Sequence, residues 1–295
     1  MQIQASPSPS KVNARRKFGG YKGEEPKIVR QAKVEENQAL RQMAEAFQKF
    51  NHDRYKNDAG YEKALQLVKG MDYTSADVTK FSILLADFQN EENFKEKAGL
   101  FLSALINHGT EQDYLVHVRL LDEIQYLGYK NTKNIVIEGN CGQIGNEMIS
   151  GRITVIGNSG GRLGLRMKGG KIIVKGNSGS GIGEGMEGGT IIVEKDAEYN
   201  IGPSMKGGEI IIKGDAESGI GTRIWSGIPQ VHFRCDNWGN LTTVHFEKVV
   251  DVVEGNGMKG GTIRIEGNIG SHIGCGMTGG KIYHKGRLLF DETAL

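Results

Sequence analysis

Cysteine, tryptophan and proline are scarce in this chain of 295 residues, which holds three, two and five of them. Cys141, Cys235 and Cys275 are too few and too irregularly spaced for a disulfide framework, so reduced, packed thiols of a cytoplasmic protein are expected. Long apolar runs are missing as well. The first residues hold none, which predicts neither a secretion leader nor a membrane span. Charge of one sign is not in excess: 37 Lys and Arg face 35 Asp and Glu, a net +2, so no global field favours nucleic acid or an anionic membrane as partner. The sequence contains no nucleophile elbow, no P-loop and no HExxH. GIGEGM imitates the spacing of a nucleotide loop, but it recurs at a corner of each repeat and opens no helix. Neither a catalytic residue nor a cofactor is expected on these grounds.

Glycine, at 44 residues, is abundant, and nearly all of the excess lies beyond residue 138. It follows a period of nineteen, as in KIIVKGNSGSGIGEGMEGG from Lys171 and TIIVEKDAEYNIGPSMKGG from Thr190. A self-similar period of this length is the mark of a solenoid. Each repeat opens with alternating aliphatics, Ile172 and Val174, then Ile191 and Val193, then Ile210 and Ile212, which period 2 places on one face. Ile173, Ile192 and Ile211 fall on the opposite, outward face and form a candidate contact stripe. A polar column of Asn140, Asn158, Asn177, Asp196, Asp215 and Asn268 is expected to stack beside the corner, each amide serving the next turn's backbone. A methionine recurs as well (Met148, Met167, Met186, Met205 and Met277, with Ile224 substituting once). It reads as a stacked core filler, ahead of a soft-metal ladder.

Three segments are expected, together forming an α+β multidomain protein. Residues 1–25 carry Ser-Pro repeats and five basic against two acidic residues, the composition of a flexible tail. Residues 26–130 change to helical spacing, with Leu40, Met43, Phe47 and Phe50 in one stripe and Val78, Phe81, Leu85 and Phe88 in another. Thr74 with Asp77, Asn90 before EENF, and Thr110 with Asp113 read as helix starts, while Gly109 and Gly128 read as helix ends. Four or five helices should pack as a small bundle that caps the coil. Residues 131–295 should form a right-handed parallel β-helix of about seven turns, a single-stranded solenoid, closed at its far end by RLLFDETAL.

The period breaks once. Gly214 to Gly267 is 53 residues, either two turns with fifteen extra or one turn with a 34-residue excursion. The insertion, about 228–254, includes VHFRC and TVHFEKV around NWGN, which read as a hairpin. Trp225 and Trp238 lie in or beside it and join the candidate interaction surface, since insertions in repeat proteins often carry the binding face. His232, Cys235 and His245, with Cys275 or His272 as a fourth ligand, compose a candidate zinc set. Their spacing matches no standard pattern, so a packing hairpin is the preferred reading.

At IGEGMEGGTIIVEKDA, SMKGGEIIIKGDAESGIG and GCGMTGGKIYHKG the chain resembles the GxGxG-motif β-helix domain. That domain is the C-terminal part of the glutamate synthase large subunit, and the gamma or C subunit of formylmethanofuran dehydrogenase and the formyltransferase/hydrolase complex. The likeness spans residues 134–286 and rests on a recurrent Gly-Met-x-Gly-Gly-x-Ile signature. It implies a structural body without catalytic residues that holds the catalytic subunits of an enzyme complex, so other protein subunits are the partners expected, with a homo-oligomer as a second form. The chain lacks any amidotransferase or flavin-synthase region, and its helical half has no counterpart in those families. The expected function is a non-catalytic scaffold subunit of an oxidoreductase complex. Two alternatives stand beside it: a stand-alone subunit of a split glutamate synthase, and a β-helix enzyme acting on carbohydrate or acyl substrates. A lyase would need charges gathered in one column, and Glu184, Arg166, Arg223 and Glu217 give none.

Overall fold

The computed structural model describes residues 37–52, 56–222 and 257–291, and the backbone alone of four strands at 224–226, 231–235, 241–246 and 250–252. The tail at 1–25, Trp238 and the last four residues lie outside the described residues. Gln38–Leu295 form one compact unit.

Four α-helices come first: α1 (Gln38–Lys49), α2 (Asn57–Val68), α3 (Ser75–Leu84), continued by a 3-10 turn at Leu85–Phe88, and α4 (Phe94–His108). The apolar stripes meet at Phe47, whose ring has edge contacts with Phe81, Phe88, Phe94 and Phe101 at centroid distances of 5.4–6.3 Å. Thr74 and Asp77 form the expected capping box of α3. The start of α4 differs: Asn93, in the left-handed region at φ 55°, and not Asn90, precedes the helix, and its side chain makes no capping bond. Gly109 ends α4, its N–H bonded to Leu105 O at 2.9 Å. Gly128 ends no helix; it sits at φ 77° in a turn beneath the Ile153 side chain.

No helix starts at Thr110. Asp113–His117 is a strand, β1, and it pairs in parallel with β2 (Asn134–Glu138). The reason is visible in DYLVHV: Tyr114, Val116 and Val118 are buried while their neighbours are not, a period of 2 rich in β-formers. Next come β3 (Arg152–Ile156), β4 (Lys171–Val174), β5 (Thr190–Val193) and β6 (Glu209–Ile212). The insertion holds β7 (Ile224–Ser226), β8 (Val231–Cys235), β9 (Leu241–Phe246) and β10 (Val250–Val252), and the chain closes with β11 (Lys259–Ile265), β12 (Gly279–His284) and β13 (Arg287–Asp291). The main sheet runs β1-β2-β3-β4-β5-β6-β11-β12-β13, parallel throughout except for the last pair. This is a parallel β-solenoid of about seven turns preceded by helices.

The register is that of a coil. Ile135, Ile153, Ile172, Ile191, Ile210, Ile263 and Ile282 stand one above another, each at most 1 % exposed. Val155, Val174, Val193 and Ile212 make the second inward column. The methionines fill the interior: Met148, Met167, Met186, Met205 and Met258 are fully buried. Each methyl lies against a corner glycine of the next turn, and a Cβ added at Gly189, for example, would stand 2.7 Å from Met167 Cε. The polar column also forms: Asn158, Asn177, Asp196, Asp215 and Asn268 each donate a backbone N–H to the Oδ1 of the residue one turn earlier, at 2.7–3.2 Å.

A coil of strands has two open ends, and both are closed. On the outer edge of β1, Thr79 Oγ1 donates to Leu115 O at 2.7 Å, and Ser82 Oγ accepts from His117 N at 2.9 Å. Buried Ser103 of α4 accepts from the N–H groups of Gly128 and Tyr129 at 2.8 and 3.1 Å and donates to Gly99 O at 2.7 Å. Asn107 donates to Tyr129 O at 3.1 Å and accepts from Thr132 N at 3.1 Å. The helices therefore end the sheet with side-chain hydroxyls and an amide in place of a further strand. At the far end Phe290 packs over Gly274, and β13 is bulged at Leu289, which twists the last edge away from further pairing.

Of the two readings of the 53-residue step, the structure has one turn with a 34-residue excursion, because β11 pairs directly with β6. Met258, whose N–H bonds Gly221 O at 2.8 Å, takes the place in the methionine column expected for Ile224. Ile224 instead lies in β7, paired antiparallel with β10, and β8 and β9 form the expected hairpin.

Candidate interaction face

The outward column begins with half-buried Leu115 of β1, passes Val136, which is 37 % exposed, and continues through half-buried Thr154, Ile173, Ile192 and Ile211 in unbroken register, ending at Arg264 and Tyr283. Three isoleucines at adjacent rungs, about 4.8 Å apart, make a continuous apolar ridge. Parallel to it runs a column of alternating sign, Lys175, Glu194, Lys213, Glu266 and Lys285. Lys213 Nζ reaches Glu194 at 2.7 Å and Lys175 Nζ reaches it at 3.6 Å. The hydrogen bond from Lys213 leads the effects that hold Glu194 below the usual carboxylate range. On the other flank, Glu209 binds Arg264 at 2.8 Å, and the guanidinium lies 4.3 Å from the centre of the Tyr283 ring. Beside Ile192 and Ile211 these charges are paired within the chain, whereas Lys171 and Arg152, one and two rungs before Thr190 on the second flank, form no ion pair among the described residues. Trp225 lies in β7 with its side chain outside the described residues, so neither tryptophan can be placed on the ridge.

A second surface lies at the corner beyond the sheet. A groove of about 800 Å³ runs along the polar column, over a floor of Ser159, Ser178, Ala197 and Ala216. It continues into a second hollow of about 710 Å³ beside β1, with which it shares Asn158, Ser159 and Gly160. Four carboxylates line the first part: Asp196 stacks under Asp215, and Glu198 under Glu217. Charges therefore do share columns on this face: Glu217 stands one turn above Glu198, against the expectation that it shares a column with no other charge.

Cys141 closes the floor of the second hollow. It is 1 % exposed and free, and burial pushes its thiol up to about 12. The proton stays on sulfur at neutral pH, so this group is no nucleophile. Iodoacetamide at pH 7.5 is expected to spare Cys141 in the native protein and label it after denaturation, as mass spectrometry would show. Fast native labelling would mean that the first turn is open.

Of the zinc set, His232 stands opposite His245 in the β8–β9 register, with Cys235 opposite Leu241. The side chains of all three lie outside the described residues. Cys275 is free and half-buried, and His272, at φ 57°, has its Nδ1 2.8 Å from Ser271 Oγ. Among the described residues no group of three or more His, Cys, Asp and Glu is placed to hold a metal ion, and no helix is long and apolar enough to cross a membrane. No protein-family model and no curated protein matches the chain.

Proposed function

We propose that this chain is a structural subunit of a multisubunit enzyme complex and presents the outward face of its solenoid to a partner subunit. The observation that carries this reading is the ridge of Ile173, Ile192 and Ile211, stacked in register and flanked at Ile192 and Ile211 by charges paired within the chain. Where those pairs stand, covering the strip costs little polar hydration, because the paired ions keep their partners. The resemblance to the GxGxG-motif domain supports the same reading and suggests an oxidoreductase complex in the cytoplasm. Affinity isolation of the tagged chain from its native source tests it. A catalytic subunit should co-purify with the native chain and be lost with Ile192→Lys, whose fold is retained because the side chain points outward. Recovery only as a monomer with hydrolase or lyase activity of its own would overturn the proposal.

The carboxylate-lined groove favours a second reading, a β-helix enzyme acting on an extended carbohydrate. Asp196 and Asp215 each spend one oxygen on the next turn's backbone, which leaves Glu198 and Glu217 as the freer groups there. Turnover of a polysaccharide abolished by Glu217→Gln would establish it in place of the scaffold.

A further inference from the structure

Where the helical cap meets the coil, a cleft of about 430 Å³ lies between the start of α2 and the first two turns. Its chemistry is mixed in a specific way. Helix α2 starts without a side-chain cap. The N–H groups of its first turn, at Asn57, Asp58 and Ala59, therefore have no intrahelical acceptor and favour a negative charge. Arg166 lines the same cleft and forms no ion pair among the described residues. Opposed to these are groups that ask for a donor. Asn146 is 2 % exposed, and its Oδ1 accepts no hydrogen bond; Asn57 Oδ1 is likewise buried and unpartnered. A buried acceptor without a donor is disfavoured, and two at one cleft point to a missing hydrogen-bond donor.

Carboxylates sit on the same walls. Asp58 accepts from Tyr129 Oη at 2.9 Å and from Lys130 Nζ at 2.6 Å, while Glu147 forms no ion pair among the described residues. A plain anion would face Asp58 and Glu147, and a plain cation would face Arg166 and the helix start. The ligand that satisfies both halves carries one charge of each sign a few bonds apart, with N–H donors on the positive one.

We propose that this cleft binds a small zwitterion of the α-amino acid class, its carboxylate at the α2 N-terminus and Arg166, its ammonium toward Asn57, Asn146 and Glu147. The site is separate from the isoleucine ridge, and its test is independent of whether the chain is a scaffold. Thermal unfolding and titration calorimetry of the full chain would be run with each of the common amino acids, and with acetate and methylammonium as the two half-ligands. At least one amino acid is expected to bind saturably and raise the melting temperature, with neither half-ligand doing so alone. Arg166→Gln should weaken that binding about tenfold or more, since a charge-assisted hydrogen bond is lost, and Glu147→Gln should weaken it to a smaller degree. Both side chains lie on a column that also accommodates Gly185 and Ser204, so both variants should fold. Binding of no amino acid, equal binding of acetate alone, or unchanged affinity in Arg166→Gln would each overturn the assignment.

Discussion

Gly183→Ala is expected to lower the unfolding free energy by about 2–5 kcal/mol, while Gly185→Ala, two residues away, costs only about 1–2 kcal/mol. Both glycines have φ +64°, so the backbone penalty is the same for each. The surroundings differ. A Cβ at Gly183 would lie 2.5 Å from Ile210 Cδ1, the inward isoleucine of the second strand after β4, whereas the nearest atom at Gly185 is Arg166 Cγ at 3.5 Å. The repeats have already made the comparison. In the Gly185 column, Glu147, Arg166 and Ser204 adopt φ of 53–55°, and no contact forbids their side chains. In the Gly183 column every position, Gly145, Gly164, Gly202, Gly221 and Gly274, is glycine. Urea denaturation of the two variants beside the native chain reads the difference. Equal losses would mean that the φ angle alone, and not the stacked isoleucine, requires glycine at 183.

Ser103→Ala is expected to cost about 2–5 kcal/mol, because two buried N–H groups, those of Gly128 and Tyr129, lose their acceptor at once. The hydroxyl is fully used in the native fold, with one donor on Gly99 O and both lone pairs on those amides. Hydrogen exchange at Gly128 and Tyr129 should rise more than at Ile191 or Ile210 in the middle of the coil. Uniform acceleration would instead mean that cap and coil open only together. The variant should also associate more readily, since a loosened cap uncovers the outer edge of β1.

The coil was legible in the sequence because its interior is built from aliphatic columns: from Ile153 to Ile210 an isoleucine recurs every nineteen residues and specifies both the inward face and the neighbour above it. Strand β1 was not, because Thr110 with Asp113 imitates a helix start and the step from Asp113 to Asn134 is 21 residues, outside the period. The choice between the two readings of the 53-residue step needed the β6–β11 register; the only sequence signal was GNGMKGG, which supplies the missing methionine. The polar lining of the cap is hidden in the sequence for another reason. Ser82, Ser103 and Asn107 stand inside apolar helical stripes, where periodicity counts them as interruptions. Their spacing has no meaning until the end of the coil is laid against them. The cleft at α2 is further still from sequence, since the period relates Glu147 to Arg166 but nothing in it brings Asn57 of the helical part beside them.

The excursion at 223–256 leaves and rejoins the solenoid without changing its phase: with those residues set aside, Thr222 and Gly257 would be successive members of an ordinary nineteen-residue turn. The rod is therefore indifferent to what is spliced in at that point. A graft of another length would leave Ile210 and Ile263 still stacked, and Met205 still two rungs from Met277. The body of the molecule and the appendage it carries are free to diverge at separate rates.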